Sequence, residues 1–106
     1  MRPELLKELF EDSLTGKGAR SLSSECVEEL FRYAERKPFR LQITEAFMVE
    51  PQYDTPLLEY SIMGPLPRKG EGLEEDKAEA IRLFRSLNEK AQKERYAIRY
   101  NVWFSD

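Results

Sequence analysis

Six residues at alternating positions of two β-like stretches are the chain's best candidates for binding chemistry. They are Arg40, Gln42 and Thr44 in one stretch and Arg99, Asn101 and Trp103 in the other. A guanidinium stacks favourably on an indole, and Trp and Arg are enriched among residues that dominate interfaces. If the two stretches pair with their apolar faces matched, Arg40 falls across from Trp103, Gln42 from Asn101 and Thr44 from Arg99. Met48, Glu59 and Ser61 complete that face. The plainer alternative is an antiparallel sheet that keeps one solvated face, with the Trp–Arg pair merely covering it. A third is that helices cover this face and make Trp103 core.

Other residue types suggest weaker chemistry. Glu45 falls in phase with the apolar residues Ile43 and Phe47. A carboxylate buried there would have a raised pKa and could act as an acid or base. A β-bulge that turns it outward, or a partner hydroxyl or arginine, explains it more simply. Cys26 opens a helix, where a thiol pKa can be lowered, but no histidine exists in the chain to activate it. A lone helical cysteine is more simply a small packing residue. Tyr60, Tyr96 and Tyr100 could line a pocket, or be core with hydroxyls at the rim. Arg68 and Lys69 sit at the tip of the loop GPLPRKGEG and could meet an acidic partner or a phosphate. That loop lacks the spacing of a phosphate-binding loop, as does Gly16-Lys17-Gly18. No metal-ligand or cofactor motif is present, so no cofactor is expected.

The totals narrow the classes. The chain has 106 residues, 41% hydrophobic and 35% charged, with a net charge of -3. This is one globular domain, residues 1–106, large enough to bury a core without staples. The negative charge gives no general attraction to nucleic acid or anionic lipid. The single cysteine precludes an intramolecular disulfide and fits a reducing, cytoplasmic setting. No apolar run reaches the ~20 residues of a membrane helix, and the acid-rich N-terminus lacks a signal-peptide core.

The elements that must position these residues follow from periodicity. Pro3 to Leu14 reads as an amphipathic helix striped by Leu5, Leu6, Leu9 and Phe10, stopped at Gly16. Thr15 to Arg20 reads as a flexible basic connection. A second helix starts at Ser23 or Ser24, presents Val27, Leu30, Phe31 and Ala34, and ends before Pro38. Phe39 to Val49 is the central strand, with Phe39, Leu41, Ile43, Phe47 and Val49 in one phase. Leu57 to Met63 is a second strand, with Leu58, Tyr60 and Ile62 inward. A long helix runs from Glu74 to about Lys93, and Tyr96 to Phe104 is the last strand, with Tyr96, Ile98, Tyr100, Val102 and Phe104 inward.

The expected fold is α+β: an N-terminal helical pair, then a three-stranded antiparallel sheet of order 2-1-3 packed against one long helix (ααββαβ). The expected function is a non-enzymatic protein–protein interaction module, such as an adaptor, inhibitor or assembly factor. It would use the polar and aromatic sheet face or the helical pair. Open strand edges make a homodimer an expected option. The rival is a small single-stranded nucleic-acid binder using the same face, helped by Arg36, Lys37, Arg40, Arg95 and Arg99 but opposed by the net charge.

Overall fold

A computed structural model describes residues 2–52, 54–63, 73–94 and 97–105. The first helix, α1 (Pro3–Ser13), starts on Pro3, whose missing N–H is not needed in a first turn. The stretch expected to be a loose connection instead contains a short strand, β1 (Ala19–Leu22). Helix α2 (Ser24–Ala34) follows at once, its first turn capped by Ser23 Oγ, which accepts from the Cys26 N–H at 3.2 Å. The central strand is β2 (Arg40–Val49).

The second strand is not continuous. It breaks into β3 (Asp54–Pro56), a 3-10 turn (Leu58–Tyr60) and β4 (Ile62–Met63). Ser61 Oγ accepts from Ala46 N–H and donates to Leu57 O, both at 2.9 Å, and so ties the interruption to β2. The break reverses one sequence-based expectation. Leu58 is 69% exposed, while Leu57, beside it, is buried. Helix α3 (Leu73–Lys93) then leads back to β5 (Ile98–Ser105). Lys77 Nζ of α3 donates to the carbonyls of Glu35, at 2.6 Å, and Lys37, satisfying groups that α2 leaves free at its end.

The domain is therefore α+β, with three helices and an antiparallel sheet four strands wide among the described residues. The order is β1-β5-β2-β3, and β4 extends β3's edge along β2. β2 is central and antiparallel to both neighbours, as its alternation implies. The expected three strands become four because β1 adds to the far side of β5.

All three helices cover one face. An unbroken chain of ring contacts runs Phe39, Phe10, Phe104, Phe31, Phe84, Tyr100, linking α1, α2, α3 and β5 with centroids 5.0 to 5.8 Å apart. Edge-on and tilted ring pairs of this kind add to plain area burial. Buried residues from every helix and both central strands join in one cluster. No helix among the described residues is long and apolar enough to cross a membrane.

The last strand keeps its expected phase: Tyr100, Val102 and Phe104 face the helices. Tyr96 lies outside the described residues. The central strand does not keep its phase. Leu41 pairs with Phe104, but the next pair is Ile43 with Trp103, leaving Gln42 as an extra residue. This bulge shifts the alternation by one. Beyond it Thr44, Ala46 and Met48 face the helices, while Ile43, Glu45, Phe47 and Val49 face away. Ile43 and Phe47 are thus not part of the helix-covered cluster, although Phe47 is only 6% exposed and Ile43 half-buried on the other face.

Candidate binding face

The helix-free face of the sheet carries the rows Ile43–Trp103, Glu45–Asn101, Phe47–Arg99 and, toward the other edge, Phe47–Pro56 and Val49–Asp54. The expected cross-strand pairs Arg40–Trp103, Gln42–Asn101 and Thr44–Arg99 do not form, because the bulge moves β2 by one residue against β5. Arg40 lies opposite Ser105, before the bulge. Gln42, in the bulge, accepts a hydrogen bond from Ser105 Oγ at 2.7 Å. Thr44 is withdrawn from the face altogether: it is fully buried against Val102 under the helices. The same shift disposes of Glu45 as a buried acid and places it outward. Arg68 and Lys69 lie outside the described residues.

The remaining predicted residues are held in distinct ways. Asn101 is only 3% exposed. Its Oδ1 accepts from the Ser21 N–H and its Nδ2 donates to Glu45 Oε1, each at 2.9 Å. One amide thereby links β1, β5 and β2, and fixes which way the Glu45 carboxylate points. The link needs Ser21 at φ 60, a left-handed conformation that serine rarely adopts. Trp103 is half-buried, because the turn between α1 and β1 folds over it. Its Nε1–H donates to Gly16 O at 3.1 Å. Gly18, at φ +76, lies against the indole so closely that a Cβ there would sit 2.5 Å from Trp103 Cε2. Only glycine fits that spot on both counts. Arg99 is exposed and makes no hydrogen bond or ion pair among the described residues.

A depression of about 220 Å³ opens on this face, lined by Arg20, Glu45, Phe47, Asp54, Pro56 and Asn101. The Arg20 guanidinium is turned back, with Nη1 donating to Lys17 O at 3.1 Å. A second hollow, about 390 Å³, lies at the Arg99 end beside Val49, Ser23 and Gln92. Cys26 lies off this face, buried in the core, where burial first and the Glu29 carboxylate second raise its thiol pKa. Raised, it is a packing thiol and not an activated one. Tyr100 belongs to the core as well. Its hydroxyl donates to Asn88 Oδ1 at 3.0 Å, and burial pushes its pKa up to about 12. Among the described residues no three Cys, Asp or Glu side chains converge on a metal-binding point.

Sequence reasoning placed Arg99, Asn101 and Trp103 on this face but missed Arg20, Ile43, Phe47, Asp54 and the Ser21 backbone. The available signal was Glu45 itself. A charged residue in phase with apolar neighbours on a central strand is what a bulge upstream would leave in the sequence. The chain matches no protein-family model, no curated protein and no solved structure.

Proposed function

We propose that the chain is a protein-interaction module that docks a protein partner on the helix-free face of its sheet. One observation carries the reading. After the bulge, the outward row of β2 is Ile43, Glu45, Phe47 and Val49, of which Val49 is 44% exposed, Ile43 is half-buried and Phe47 is only 6% exposed, and the three described helices are stacked on the other side. A sheet face that only meets water is normally polar along each strand. This one carries apolar residues along β2, with Val49 standing out to solvent, beside an exposed arginine and a half-buried tryptophan, residue types enriched at interface centres. Binding rather than turnover is the reading because the one cysteine is buried away from this face. Adaptor, inhibitor and assembly factor are all roles such a face could serve.

The test places a photo-activatable cross-linking residue at Val49 and, as a control, at Lys7 on the outer side of α1, in the native cell. Discrete protein adducts from position 49 and none from position 7 support the reading. Adducts from position 7 alone, or adducts at 49 that nuclease destroys, would overturn it. The latter result would hand the face to nucleic acid.

A further inference from the structure

The helix-free face has a property that a face built for an unrelated partner does not require: it is complementary to itself. Its apolar rail runs along β2. On one side of that rail, on β5, stands Arg99, exposed and without a hydrogen bond or ion pair among the described residues. On the other side, on β3, stands Asp54, exposed at the rim of the depression that Glu45 also lines. Arg99 is level with Phe47, and so is Pro56; Asp54 is level with Val49, two residues along.

A two-fold axis laid along β2 in the plane of contact exchanges the β5 side of one copy with the β3 side of the other. Two sheets meeting in this way stack about 10 Å apart in the aligned manner. Val49 and the half-buried Ile43 then pack on their own symmetry mates, over the buried Phe47. Arg99 of each copy comes down over Pro56 of the other, with Asp54 about 7 Å further along, within reach of an arginine side chain. The contact is isologous, so each pair forms twice. The carboxylate of Glu45, aimed by Asn101, supplies a second acid in the same depression.

We infer that the partner docked on this face is a second copy of the chain, held by the β2 rail and by two reciprocal pairs in which Arg99 of one copy enters the depression lined by Asp54 and Glu45 of the other. The inference rests on the reading of this face as a docking surface, and names its occupant.

Both charged residues are exposed, so their reversal leaves the fold intact, which circular dichroism checks. Sedimentation equilibrium is run on the wild type, on Arg99→Asp, on Asp54→Arg and on an equimolar mixture of the two variants. The wild type is expected to dimerise. Each variant alone sets like charges against each other twice and should weaken association about tenfold or more. In the mixed dimer Asp at 99 meets Arg at 54, and the native Arg99 meets the native Asp54. Association should therefore return, as a heterodimer. A monomeric wild type, a dimer indifferent to both reversals, or a mixture that stays monomeric would each overturn the inference. A monomeric wild type that still cross-links from Val49 to a different protein would overturn the self-pairing alone and leave the docking reading standing.

Discussion

The two faces of one sheet are built from alternate residues of the same strands, yet they are held by different means. The covered face is a chain of aromatic rings from Phe39 to Tyr100, spread over three helices and β5, in which each ring leans on the next. The bare face is held at points: one indole N–H on Gly16, one asparagine amide spanning three strands. Area-based cohesion tolerates small shifts and punishes lost volume. Point-based cohesion tolerates lost volume and punishes lost geometry. The difference explains how one side can do without a described helix and still not come loose.

Substitutions on each side sharpen the contrast. The largest effect should come from Phe84→Ala, at a ring 1% exposed between Phe31 and Tyr100. A cavity there should cost about 3–5 kcal/mol in urea unfolding. On the bare face, Gly18→Ala adds only a methyl group, but at a positive φ and against the indole. A loss of about 2 kcal/mol is expected, with Trp103 emission shifted to the red and opened to iodide. Gly16→Ala, whose added Cβ would meet nothing within 4 Å among the described residues, should leave both unchanged. Equal behaviour of the two glycine variants would break the comparison.

The next effect is one of pH. A tyrosine ionises near 10.0 when unfolded, while buried Tyr100 keeps its proton to about 12. Between those values the unfolded chain binds fewer protons, so stability falls as pH rises through the interval, by something on the order of 2 kcal/mol. Tyr100→Phe should flatten that fall in unfolding curves measured across it, while giving up the bond to Asn88. The smallest effect has the opposite sign. Among the described residues, Thr44 Oγ1 is buried with no hydrogen-bond partner. Thr44→Val keeps the shape, removes the stranded hydroxyl and should raise stability by about 1 kcal/mol in the same denaturation assay.

Much of this architecture was legible in the chain. The alternation Ile98, Tyr100, Val102, Phe104 gave away the inward face of β5, and the stripes Val27-Leu30-Phe31-Ala34 and Ala80-Ile81-Phe84-Leu87-Ala91 those of α2 and α3, although Ile81 and Leu87 are only partly buried. The central position of β2 followed from its length. The face carried by its second half did not follow, because a single unpaired residue at Gln42 inverts every side chain after it and costs nothing visible in hydropathy. β1 was hidden for another reason. Ala19-Arg20-Ser21-Leu22 is too short to show a period, and its strand character comes from β5 lying beside it. The Trp103–Gly16 and Ser21–Asn101 links join residues 87 and 80 positions apart. No local pattern encodes contacts of that range.

The broken outer strand has a consequence for how these molecules behave in a crowd. A sheet margin with a long, regular row of free amides is a template on which a partly unfolded chain can add itself, and then another. Here one margin offers a rung of three residues ending in Pro56, then a 3-10 turn, then a rung of two. The other margin is four residues long and is kinked by Ser21 in its left-handed conformation. Among the described residues neither margin gives an incoming strand a long run of consecutive amides to seat on, which disfavours fibre-like growth from them.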